Sequence, residues 1–152
     1  AVGGHRWLLI LVNDHSRWRR SYSLAAHNDA GTVIRRFASE FMALTSATAE
    51  DASRPHGALV TGTSGPFLSY IFKESLDEAA VDILGVPRYN QPLNTVAEHE
   101  VSAIMRLLSL DMRESGATAS FWAYAAAHAC DVLNHTSRPS GCAKSSAELI
   151  TG

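Results

Sequence analysis

The sequence predicts an α/β fold, a mixed sheet covered by helices, built as one domain over residues 1–152. Three observations predict it. Two strand-like segments joined by turn chemistry open the chain, and strands and helices then alternate, in the order strand, strand, helix, strand, helix, strand, helix, helix. The 152 residues are 46% hydrophobic, enough apolar material for one sizeable core. No internal repeat and no low-complexity stretch interrupts the pattern.

Residues 5–12, HRWLLILV, form a short continuous apolar run, as a buried strand does. Asn13, Asp14 and Ser16 supply turn chemistry, and residues 17–24 then alternate, with Trp18, Tyr22 and Leu24 in step, as a strand returning in a hairpin. Asn28 or Asp29 can cap a helix over 30–46, with Val33, Phe37, Phe41 and Leu44 along one side. Residues 48–55 are polar and aperiodic, a surface loop. GALVTG, 57–62, is a short strand, and Pro66 suits the first turn of a helix running to about 79. VDILGV, 81–86, is another strand, followed by a loop over 87–92 and a helix to about 114. SGATAS closes that helix and caps the alanine-rich one over 121–134, and the tail from His135 is loop with one short turn in SSAELITG. Leu9, Phe37, Phe41, Leu59, Ile71, Leu107 and Trp122 are the expected core residues.

Composition excludes several classes. No run of eighteen apolar residues indicates a membrane span, and Trp7–Val12 has neither a charged leader nor a cleavage pattern around it, so no signal peptide is expected. Cys130 and Cys142 are isolated, matching no metal spacing and no disulfide framework, which favours a reducing, intracellular setting in nucleus or cytoplasm. Net charge is −2, with eleven Arg and two Lys, so any nucleic-acid contact must be local. Arg17, Arg19 and Arg20 are one candidate patch, against the blander reading of a solvated strand face.

Within the helix before residue 114, Asn94, Glu98, Val101, Met105, Leu108 and Met112 gather on roughly one face, since each residue advances about 100°. Glu98 therefore stands at the margin of an apolar stripe, and an acid turned towards a core is costly unless something pairs with it. His99, Arg106 and Glu114 point to the solvated side. Ser64 in TGTSGP follows Gly62 but has Pro66 where a nucleophile elbow needs its second glycine, and His128 and Cys130 point to different sides of their helix.

Several segments together resemble the integrase catalytic core of copia-type retrotransposons, of the ribonuclease H-like fold. NDHSR, 13–17, is close to that family's Asp-Asp-Tyr-Ser-Arg. NTVAE, 94–98, is similar to its Asn-Gly-Val-Ala-Glu, with Thr95 in the glycine's place. ESGATASFWAYAAAHACDVLNHTSRP, 114–139, follows its Glu-Ser-Gly, Phe-Trp-Ala and Leu-Asn-Arg-Thr-Pro pattern at matching spacing, and AELITG, 147–152, resembles its closing Glu-Leu-Trp-Thr-Gly. The resemblance runs along nearly the whole chain in one order.

It implies three carboxylates around two Mg²⁺ or Mn²⁺ ions, one activating the attacking water or DNA 3′-hydroxyl and the other stabilising the leaving oxygen. Glu98 matches the third acid. Gly62, in TGTSGPF, occupies the position of the second aspartate. The first lies on the family's first strand, upstream of the hairpin turn, and residues 1–6 hold no acid; the fold is expected to lack the catalytic part of that strand, and the chain to be a piece of a longer polyprotein. With two acids of three absent, no bound metal is expected. The bases that follow the family's glutamate and hold phosphates are here His99, Glu100, Val101 and Ser102, so DNA binding is expected to be weakened. Three functions follow from the resemblance: a catalytically silent integrase core, a non-enzymatic module kept for DNA binding or homo-oligomer contacts, or an active nuclease or strand-transferase with another ligand set, for which His56 and Glu74 are conceivable members.

Overall fold

A computed structural model describes residues 4–46, 57–62, 81–86 and 95–151. Its elements are β1 (Trp7–Val12), β2 (Arg19–Leu24), α1 (Ala30–Ser46), β3 (Gly57–Gly62), β4 (Val81–Val86), α2 (Thr95–Ser115), α3 (Trp122–Thr136) and α4 (Ser146–Thr151), with single 3₁₀ turns at His27–Asp29 and Ala119–Phe121. The helix expected over 66–79 and the loops over 48–55 and 87–92 lie outside the described residues, as do Ile71, His56, Ser64 and Glu74. By contacts the chain forms two compact units: Ala1–Ala26 with Ala97–Gly152, and His27–Val96.

In the first unit β1 and β2 pair antiparallel, from Trp7 opposite Leu24 to Val12 opposite Arg19. The turn explains the register. The Asn13 side-chain oxygen accepts from the Ser16 amide (2.8 Å) and hydroxyl (2.9 Å), and the Asn13 amide donates to the Trp18 carbonyl at 2.8 Å. Arg17 closes the turn in the left-handed region at φ 58°, a conformation costly for any residue with a Cβ. Its amide donates to the Asn13 carbonyl at 2.9 Å, and its guanidinium pairs with Asp14 at 3.1 Å.

α3 packs against β2, and small residues allow the close approach: Ala126, Ala129 and Cys130 are buried. Ile104 of α2, Ala129 and Cys130 form a core cluster with Ile10, Leu107 and Leu133 packed around it. Burying a side chain such as Ile104 contributes roughly 1.5–3 kcal/mol. The described core differs from the expected one. Leu9, Phe37, Phe41, Leu59, Leu107 and Trp122 are only half-buried, while Leu11, Trp18, Leu24, Ile34, Ile104 and Ile150 are buried. Apolar periodicity marks a face about as wide as a helix third, and which shoulder of it turns fully inward depends on partners remote in sequence.

The tail is more ordered than a single turn. Ser145 and Glu148 make a capping box at the start of α4: the Ser145 amide donates to the Glu148 carboxylate at 2.7 Å, and the Glu148 amide donates to the Ser145 hydroxyl at 3.3 Å. These bonds, the backbone one first, hold the Glu148 carboxyl below its ordinary value of 4.5. A folded pKa below the unfolded one gives stability that is present above the unfolded value and lost as pH falls through the folded one. Acidification below 4.5 should therefore fray α4 selectively, and Ser145→Ala, removing the same cap, should cost about 1 kcal/mol at neutral pH. Amide exchange at Leu149 and Ile150 measures both; protection independent of pH there would contradict the cap.

In the second unit a 3₁₀ turn leads into α1, which bears the Arg36–Glu40 ion pair (2.7 Å) and the stacked Phe37–Phe41 rings, 6.1 Å apart. β3 and β4 pair parallel, Gly57 opposite Val81 through Gly62 opposite Val86. A parallel pair needs a crossover connection between its strands. The fold is thus α/β, with antiparallel and parallel pairing in two separate two-stranded sheets among the described residues, where one mixed sheet was expected.

Candidate metal and nucleic-acid site

Glu98 lies in the first turn of α2 and is exposed. The stripe on which it was placed is only partly inward: Val101 is 38% and Met105 44% exposed, whereas Leu108 is buried and Met112 half-buried. The inward face centres on the buried Ile104 and Leu108, with Ala97, Glu100, Leu107 and Asp111 half-buried beside them, so it is rotated by up to about 100° from the expected stripe. Glu100 is consequently the acid that faces the core, and its partner is Arg19. The two meet at 3.1 Å with side chains 12% and 1% exposed.

Arg19 was expected on a solvated face or against phosphate, and neither holds. Its guanidinium is enclosed, with Nε donating to the Arg17 carbonyl (2.9 Å) and Nη2 to the Ser137 hydroxyl (3.3 Å). Burial lowers its pKa from the ordinary value, and the Glu100 charge pushes it back up. Two neighbours complete this centre. The Asn134 side chain receives the Arg19 amide at 3.0 Å and donates to the Arg19 carbonyl at 2.9 Å. The Cys130 thiol is pushed up by burial, against a Ser21 hydrogen bond and the Arg19 charge.

The basic patch is therefore reduced to Arg17 and Arg20. Arg17 is engaged by Asp14, and Arg20 lies over the Trp18 ring at 5.0 Å with Nη1 3.5 Å from Asp131. The Arg20 Nε is buried without a hydrogen-bond partner. Gly62, in the other unit, is the last residue of β3.

A solved structure of the simian T-cell lymphotropic virus intasome, in complex with PP2A regulatory subunit B56 gamma, contains a chain similar to this one. The TM-score is 0.74 and the identity 15%, over 95% of this chain and 48% of that one. This chain thus spans about half the length of its structural neighbour. No protein-family profile and no curated protein matches the sequence. The likeness is one of fold, and the fold is integrase-like.

Among the described residues no three His, Cys, Asp or Glu side chains converge as metal ligands. No helix there is long and apolar enough to cross a membrane. What periodicity missed is the polar centre around Arg19. One signal for it was legible: Asn134 falls four residues after Cys130 and eight after Ala126, a polar residue on the packed face of an alanine-rich helix. Nothing local marks Glu100 as the partner of Arg19.

Proposed function

We propose that this chain is a copia-type integrase core of the ribonuclease H-like fold that has lost DNA strand transfer. The observation that carries the reading is the state of the acids: Glu98 stands exposed with no converging carboxylate among the described residues, and the second acid's position is Gly62. The order of the sequence motifs and the intasome fold likeness support the integrase part. A lone carboxylate cannot strip Mg²⁺ of its water or hold two such ions at the distance that in-line displacement needs. What this chain retains towards DNA is a weak cationic surface, because Arg19 is withdrawn and Arg17 and Arg20 have acidic neighbours.

Two measurements test this. In a labelled-duplex assay with Mg²⁺ or Mn²⁺, nicking and strand transfer should stay at the background of Glu98→Ala. Turnover that disappears in Glu98→Ala would overturn the proposal. In gel-shift titrations, DNA binding should show a slope of log affinity against log salt no steeper than about two, the share of two phosphate contacts. A slope of about six or more would reveal a phosphate-binding surface and favour a module retained for DNA binding.

A further inference from the structure

The end of α2 and the start of α3 enclose an open cavity of about 570 Å³, lined by Asp111, Met112, Glu114, Phe121, Tyr124 and His128 among others. It lies wholly within the first unit and uses none of the residues considered for DNA or metal. We infer that this cavity binds a cationic side chain on a partner peptide, arginine before lysine.

The lining has the chemistry that such a group requires. Phe121, at the end of the 3₁₀ turn, and Tyr124, in the first turn of α3, are 46% and 63% exposed, and the opposite side of α3 is closely packed. Their ring centroids lie 5.9 Å apart, with the planes tilted by 42°. Two adjoining rings at an angle give a cation more than one π surface to contact. Asp111 and Glu114 add carboxylates, and no Lys or Arg lines the cavity. His128 takes one Asp111 oxygen through Nδ1 at 2.9 Å, while Glu114 carries no ion pair among the described residues. A guanidinium satisfies both halves of this lining: it is weakly hydrated, stacks on aromatic rings and forms two parallel hydrogen bonds to a carboxylate. The volume falls within the range of roughly 300–1,000 Å³ typical of ligand pockets, larger than one ammonium ion fills, which favours a side chain carried on a peptide.

The test is an amide-resolved NMR titration with the blocked tripeptide Ala-Arg-Ala, with its neutral citrulline counterpart, and with choline as a free cation. Shifts should concentrate at residues 111–128, with the arginine peptide binding at least about fivefold tighter than the citrulline peptide and tighter than choline. Glu114→Gln and Tyr124→Leu, both surface replacements, should each weaken the arginine peptide about fivefold, while Lys144→Gln, exposed and outside the cavity, leaves it unchanged. Thermal melts confirm that both variants remain folded. Equal binding of the citrulline peptide would make the cavity a merely apolar groove and overturn the inference. So would choline binding as well as the peptide, preferred binding of blocked Ala-Asp-Ala, or an absence of shifts at millimolar arginine peptide.

Discussion

Replacing Glu100 by alanine is expected to lower the unfolding free energy by about 3–5 kcal/mol, the range for removing one partner of a buried ion pair. The magnitude follows from what remains. The Arg19 side chain is 1% exposed, and among the described residues Glu100 is the carboxylate paired with it. Without that charge, the Arg17 carbonyl and the Ser137 hydroxyl still accept hydrogen bonds, but neither offsets a full positive charge removed from water. Glu100→Gln keeps the shape and an acceptor oxygen, so it should cost less than alanine. The double replacement Arg19→Met with Glu100→Leu should recover most of the loss, because well-packed apolar residues commonly match a buried pair in stability. Urea unfolding followed by tryptophan fluorescence reads all three, since Trp18 is buried beside this centre. A Glu100→Ala variant within about 0.5 kcal/mol of the parent would mean that water reaches Arg19 and that the pair belongs to the surface class.

The same pair separates what sequence reasoning could reach from what it could not. Backbone-level features were legible because each is local. The apolar run before Asn13, the turn residues of NDHSR and the glycine at the end of GALVTG set β1, β2 and β3, and α1 starts and ends where the periodicity and its preceding Asn28 and Asp29 place it. The orientation of α2 was not local. Val101, Met105, Leu108 and Met112 make the more apolar stripe, yet the helix turns Glu100 inward, towards a guanidinium 81 positions earlier in the chain. A one-residue rotation of a helix changes which acid meets the core, and no hydrophobic count records a charge that arrives from a distant strand. Glu98 was accordingly read at the margin of the core although it is exposed, and Arg19 was read as a surface base although it is enclosed. The fold class survives such an error, because period and order decide it. A site does not, because it depends on single side chains.

Asn134→Ala carries the second large expectation, a loss of about 2–4 kcal/mol, and it bears on what the recognisable motifs are for. The Arg19 amide and carbonyl both bond to the Asn134 side chain, whereas the Trp18 carbonyl receives the Asn13 amide on the β1 side. Successive residues of a strand direct their backbone groups to opposite edges. Asn134 therefore occupies the outer edge of β2 and acts there as a one-residue strand, offering one acceptor and one donor. Alanine would leave two backbone groups in a buried setting without partners, each worth about 1–3 kcal/mol, partly relieved by water entering the space. Leucine should be no better despite its greater apolar area, which distinguishes lost hydrogen bonds from lost packing. Aspartate supplies the acceptor but turns a second lone pair towards the Arg19 carbonyl, so it should be intermediate at best. Hydrogen exchange at the Arg19 amide gives the direct readout: it should accelerate in the alanine and leucine variants, and less in the aspartate variant, which keeps that acceptor. The asparagine of LNHTSRP, the turn residues of NDHSR and the glutamate of AELITG, all part of the resemblance to integrase cores, thus have the same kind of occupation here. Each satisfies backbone groups at the edge of an element. Such residues hold a fold by satisfying its backbone groups, which is independent of any chemistry the fold carries.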